Sequence, residues 1–80
     1  MELILYGQAS CSSCSVIKSY LKANELEYTY VDVETEKGYE AYQSDFPGSR
    51  SVPQAVDINS DVRISGAENI MKFLRNSKEQ

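Results

Sequence analysis

Cys11-Ser12-Ser13-Cys14 holds both cysteines of this 80-residue chain. It stands where an apolar run, Leu3-Ile4-Leu5-Tyr6, ended by Gly7, gives way to residues at helical spacing. Two thiols separated by two residues, the second one turn into a helix, are neighbours and can close a disulfide with little backbone movement. Metal sites use the same spacing. A structural zinc site needs about four Cys or His ligands, and the chain has two Cys and no His, so one subunit cannot complete such a site. A redox dithiol, a two-coordinate soft-metal carrier, a cluster shared between two subunits and an inert bridge remain open. A disulfide across so short a loop removes little chain entropy, which makes a structural bridge a poor use of the pair. A C-x-x-C beside a βαβ pattern is associated with redox chemistry.

The run Leu3 to Tyr6 suits a strand buried on both faces of a mixed or parallel sheet. After the cysteines, Ile17 and Leu21 continue a helical stripe that Val16 and Tyr20 widen. Ser10 is placed to cap this helix, and Asn24 to end it through a left-handed conformation. Tyr28 to Val33, rich in aromatic and β-branched residues, reads as a second strand. The β-α-β crossover makes the two strands parallel and leaves the Cys pair at the carboxyl end of the first.

Glu36 to Phe46 carries Tyr39, Tyr42 and Phe46 at helical spacing, and Pro47-Gly48 breaks that helix. Gln54 to Ile58 and Val62 to Ile64 read as strands joined through Asn59-Ser60-Asp61, a hairpin turn. Ala67, Ile70, Phe73 and Leu74 mark a terminal helix, with Asn76 to Gln80 a frayed tail. The order is β-α-β-α-β-β-α in one small domain spanning 1–80.

Apolar residues are 41% of the chain and charged residues 25%, an ordinary globular composition. The formal charge of -4 is spread along the sequence without a basic block, which argues against nucleic acid as a partner. The opening MELILYG is neither a secretory signal nor a membrane span. A cytoplasmic location is expected, where thiols are kept reduced and a retained Cys pair is usually catalytic or redox-sensing.

The strand with Tyr6, the Cys11-Ser12-Ser13-Cys14 motif, Ser51-Val52-Pro53 and Ile64-Ser65-Gly66-Ala67-Glu68, in this order, resemble a glutaredoxin of the compact kind found in bacteria and phages. The resemblance covers nearly the whole chain. It implies an α/β thioredoxin-like fold, a four-stranded mixed sheet flanked by three helices. It also implies a dithiol enzyme that reduces protein disulfides and glutathione mixed disulfides, an electron-transport function. Glutathione would serve as the reducing co-substrate, with no tightly bound cofactor and no metal. The expected partners are glutathione and oxidised or glutathionylated proteins, with no membrane partner and the protein acting as a monomer.

Only a thiolate attacks a disulfide, and a free Cys is mostly thiol at neutral pH, so the attacking residue needs a local positive potential. A helix N-terminus supplies one. Cys11 is therefore the expected nucleophile, and Cys14, deeper in the helix, the resolving thiol. The Ser12 and Ser13 hydroxyls either donate to the thiolate or simply suit a tight helix start. The family more often has Pro-Tyr there.

The resemblance implies a cis peptide before Pro53 that lets the Val52 backbone pair with an extended peptide such as glutathione. It places Gly66, Ala67 and Glu68 at the γ-glutamyl end. Backbone N–H groups of Gly66 and Ala67 would take the carboxylate and Glu68, one methylene longer than the family's Asp, the amine. Gln8 occupies a position often held by Lys and would hydrogen-bond the glycine carboxylate. Arg50 is the nearest candidate cation, while Lys18, Lys22 and Lys37 read as surface charges. Tyr6 is expected near the cysteines, packing against the bound tripeptide.

Two other readings share the fold. One is a donor recycled by thioredoxin reductase and serving ribonucleotide reductase, against which the absence of Trp counts. The other is a dimer bridged by an iron-sulfur cluster with glutathione as a further ligand.

Overall fold

The computed structural model describes residues 2–78. Its elements run β1 (Leu3–Gly7), α1 (Ser12–Ala23), β2 (Tyr28–Asp32), α2 (Glu36–Asp45), β3 (Gln54–Asp57), β4 (Val62–Ser65) and α3 (Ala67–Lys78). This is the thioredoxin-like order expected from the sequence. The strands form one mixed sheet in the order β2-β1-β3-β4. β1 pairs parallel with β2, from Leu3↔Tyr28 to Gly7↔Asp32, and antiparallel with β3, from Leu3↔Asp57 to Tyr6↔Gln54. β3 and β4 make an antiparallel hairpin in which Gln54 faces Ser65.

β1 is central and alternates its side chains between two cores. Leu3 and Leu5 join Ile17, Leu21, Ala55, Ile64, Ile70 and Leu74 beneath α1 and α3. On the other face Tyr6 joins Tyr42 and Val56 beneath α2, with Ile4, Val31, Phe46 and Val52 packed around them. A fully buried Leu or Ile contributes roughly 1.5–3 kcal/mol, so the α1/α3 face carries most of the aliphatic stabilisation. The α2 face relies on aromatic packing, with Tyr6 and Tyr42 centroids 5.7 Å apart and Phe46 edge-on to Tyr6 at 6.1 Å.

Several local expectations change. Val16, read as widening the apolar stripe of α1, is 60% exposed because it lies off the Cys14-Ile17-Leu21 face. Tyr39 is likewise exposed on α2. Asn24 does end α1, but with φ -101°, and the left-handed residue is Glu25 at φ 54°. The Glu25 N–H donates to the Lys22 carbonyl and the Leu26 N–H to that of Leu21, a Schellman closure whose apolar contact is Leu26 against the main core. Asn76 is helical, since α3 continues to Lys78; the remainder of the predicted tail, residues 79–80, lies outside the described residues. Among the described residues no helix is long and apolar enough to cross a membrane.

α2 starts at an N-cap, Thr35, whose Oγ1 accepts from the Gly38 N–H at 3.0 Å. The same turn lies on the end of β2 so closely that a Cβ at Gly38 would run into the Asp32 carbonyl oxygen. Ala is better than Gly inside a helix by about 1 kcal/mol, whereas overpacking against backbone costs about 1–3 kcal/mol or more. The clash wins, because neither the carbonyl nor the helix can give locally. Gly38→Ala is expected to lower the unfolding free energy by about 2 kcal/mol in urea denaturation.

Candidate functional site

The sheet register gathers three chain segments at one end. Gly7 closes β1 and leads into the Cys11 turn, Pro53 precedes Gln54 opposite Tyr6, and Gly66 follows Ser65 opposite Gln54. The Gly66 N–H donates to the Pro53 carbonyl at 3.1 Å, joining two of these segments directly. Cys11, Cys14, Val52, Pro53, Gly66, Ala67 and Glu68 therefore share this end of the molecule, with Gln8 in the Cys turn and Arg50 exposed on the loop before Val52. An open depression lined by Glu2, Leu3, Glu27, Tyr28, Thr29 and Ile58 lies at the opposite end.

Cys11 and Cys14 are joined by a disulfide with Cα atoms 5.3 Å apart, inside the range that bridges without backbone movement. Cys11, rather than Ser10, is the N-cap of α1. Its backbone is extended at φ -90° and ψ 109°, and its Sγ accepts from the Cys14 N–H at 3.1 Å, the place a Ser or Asp oxygen usually takes. The Ser10 hydroxyl instead accepts from Gln8 Nε2 at 3.2 Å. The Gln8 carbonyl accepts from the Cys11 N–H at 3.1 Å, which closes the turn. Cys14 is 1% exposed, Cys11 is half-buried, and Ser12 and Ser13 face solvent.

The family pattern gave no hint of what surrounds Cys14. A Cβ at Gly7 would lie 2.9 Å from Cys14 Sγ and 3.1 Å from Tyr30 Cε1, so the sulfur and the Tyr30 ring both lean on the end of β1. Lys18 is more than a surface charge: its Nζ stands over the Tyr30 ring, 4.1 Å from the centroid. Lys18 follows Cys14 by one helical turn and Tyr30 faces Leu5 across the parallel pair. That spacing and register were the signals available for finding them. Burial first, then the Asp32 and Glu34 carboxylates, raise the Tyr30 phenol above its ordinary range. Glu34 Oε1 also accepts from the Ala9 N–H at 3.3 Å, tying the Cys turn to the segment after β2.

Tyr6 lies on the opposite face of the sheet from Cys14. Alternation along β1 sends its ring to the α2 face, where the hydroxyl donates to the Asp45 carboxylate. Burial, followed by that hydrogen bond and the Asp45 charge, pushes the phenol well above its usual value, with Arg63 opposing. Arg63 in turn meets Asp45 at 3.4 Å and Asp61 at 3.0 Å.

Gly66 also differs from expectation. Its N–H is engaged by Pro53, so the donors left at this helix start are the Ala67 and Glu68 N–H groups that begin α3. The Glu68 carboxylate leans down the helix, 3.5 Å from Lys72 Nζ, an exposed pair. The Val52-Pro53 peptide is cis, and Pro53 is buried while Val52 packs against the Tyr6 cluster.

The family model for glutaredoxin matches residues 3–62. The chain belongs to the glutaredoxin family. Membership of that family, with the Cys11–Cys14 pair in place, implies thiol-disulfide oxidoreductase activity. No curated protein sequence matches this chain significantly. Among solved structures, this glutaredoxin is similar to the thioredoxin-like protein BC3987, at 25% identity and a TM-score of 0.71, covering 91% of this chain and 96% of that one. It shares its fold with a buckwheat glutaredoxin solved as a glutathione complex, at 23% identity and a TM-score of 0.72, covering 95% of this chain and 70% of that one. Thioredoxin 1 of the thermophilic eubacterium Thermosipho africanus has the same fold at 17% identity and a TM-score of 0.55, covering 98% and 99% of the two chains.

The contact between Gly7 and Cys14 can be tested by itself, because Gly7 lies in regular strand pairing and Ala there needs no unusual backbone. Gly7→Ala is expected to destabilise the oxidised glutaredoxin by about 1–3 kcal/mol in urea denaturation. An unchanged midpoint would mean that the sulfur is not seated on β1.

Proposed function

We propose that this protein is a glutathione-dependent dithiol reductase of protein disulfides and protein-glutathione mixed disulfides. The observation that carries the reading is the Cys14 N–H aimed at Cys11 Sγ at 3.1 Å on a helix N-terminus. When the disulfide is reduced, that donor and the aligned peptide dipoles of α1 favour negative charge on Cys11 Sγ. Cys11 is the more exposed sulfur of the pair and Cys14 is sealed beneath it, so attack on an incoming disulfide falls to Cys11.

Cys11 thiolate attacks one sulfur of the substrate disulfide; that S–S bond breaks, a mixed disulfide forms and the released thiolate takes up a proton. The Cys14 thiol loses its proton and attacks Cys11 Sγ, releasing the second substrate thiol and closing Cys11–Cys14. Two glutathione thiols then return the two electrons, the first opening the disulfide as a mixed disulfide on Cys11 and the second leaving as oxidised glutathione. For a glutathionylated protein, a second glutathione in place of Cys14 resolves the intermediate.

Support for a peptide-like partner comes from the other segments at the Cys end. Val52, beside the buried cis-Pro53, presents backbone for a short antiparallel pairing. The first-turn N–H groups at Ala67 and Glu68 suit a carboxylate, and the exposed Glu68 carboxylate, which rests beside Lys72, is assigned to the amine. The buckwheat relative's complex with glutathione agrees with this ligand class. Gln8, in the Cys turn, is assigned to the ligand as a neutral donor, and Arg50, exposed on the loop before Val52, as a cation.

In a glutathione-coupled assay, Cys14→Ser is expected to keep reduction of glutathione mixed disulfides and lose dithiol protein reduction. Cys11→Ser is expected to lose both by about three orders of magnitude. Activity retained in Cys11→Ser would reverse the roles assigned to the two sulfurs. Reduction of the Cys11–Cys14 disulfide is expected to be faster with glutathione than with thioredoxin reductase and NADPH; the opposite order would replace glutathione as the electron source.

A further inference from the structure

Beneath the loop that precedes Pro53, side chains from α2 and β3 converge on two backbone carbonyls. The Tyr42 hydroxyl is shared between the Ser51 carbonyl, at 2.5 Å, and Ser49 Oγ, at 2.9 Å. The Gln54 amide nitrogen donates to Ser49 Oγ at 2.9 Å and to the Ser51 carbonyl and Oγ, both at 3.1 Å. Gln43 Nε2 donates to the Ser49 carbonyl at 2.8 Å while its Oε1 accepts from the Gly48 N–H at 2.8 Å.

Tyr42 and Gln54 are each only 2% exposed. Gln54 Oε1 is buried with no donor among the described residues, so the amide is held there by its NH2 end alone. Leaving a buried acceptor unpaired is unfavourable, and an apolar side chain of similar length would avoid it. What Gln54 offers that an apolar residue cannot is the grip on Ser49 and Ser51.

The Ser51 carbonyl and the Val52 N–H belong to one peptide group, which is planar, so the two point in opposite directions. Drawing the carbonyl inward to Tyr42 and Gln54 turns the Val52 N–H outward. Among the described residues no acceptor meets that N–H. We propose that Tyr42 and Gln54 are positioning residues: they fix the Ser51 carbonyl and thereby aim the Val52 N–H at the backbone of a peptide-like disulfide partner. The inference rests on the pairing role given to Val52 above and adds the groups that orient it.

Tyr42→Phe tests this while keeping the ring that packs on Tyr6 and Phe46, and Gln54→Met removes the amide at similar length. Both are compared with wild type on a glutathione-peptide mixed disulfide and on dithiobis(nitrobenzoate), a disulfide without a peptide backbone. For each variant kcat/KM on the peptide substrate is expected to fall about tenfold, the loss lying in KM, while kcat and the rate of Cys11 alkylation by iodoacetamide stay within about twofold. Wild-type preference for the peptide disulfide with no KM change in Tyr42→Phe overturns the positioning role alone. So does an equal loss on both disulfides, which would report general disruption. A wild type indifferent between the two disulfides overturns the pairing at Val52, and the positioning role with it.

Discussion

Cys14 Sγ rests on the last residue of β1 with no room for another carbon between them, and that contact dictates where α1 begins. Because the buried sulfur must meet the strand end, the preceding turn is compressed into Gln8 to Cys11, closed by one backbone hydrogen bond. Cys11 then has no choice but the capping position. The helix N-terminus and the two sulfurs are thus placed by a single packing constraint, and the helix field acting on Cys11 Sγ follows from it.

β1 serves both layers. Its odd-numbered leucines anchor α1 and α3, while Ile4 and Tyr6 anchor α2. The Tyr6 hydroxyl, Asp45 and Arg63 connect β1, the end of α2 and β4 on the face turned away from the sulfurs. This is a polar seam inside an aromatic layer, and its role is to hold α2 in register. α2 in turn presents Tyr42 to the loop at 49–51. A chain of contacts therefore runs from the central strand through α2 to the peptide before Pro53, independently of the helix that bears the cysteines.

The order of elements was legible because each segment announces itself locally: a continuous apolar run, a Pro-Gly break after Phe46, a polar turn at Asn59 to Asp61. The cysteine pair was legible for the same reason, since its geometry lies within one helical turn. Contacts between distant segments were not. Four apolar residues in succession hide which of them faces which layer, so Tyr6 is expected beside the cysteines although strand parity sends it to α2. The engagement of the Gly66 N–H by Pro53 joins residues from separate loops, and no sequence pattern encodes it. Likewise the approach of Cys14 to Gly7 looks, in the sequence, like a strand-ending glycine. Ser10 is the better capper by residue type, but the helix starts one residue after the position it could cap, and its hydroxyl is engaged by Gln8 instead.

Two of the segments that share the Cys end belong to different storeys of the molecule. The sulfurs ride on α1, which lies over one face of the sheet, whereas the loop at 49–51 hangs from α2, which lies under the other. The sheet therefore separates the two segments, so a substitution under α2 reaches the loop at 49–51 without crossing the layer that seats the sulfurs.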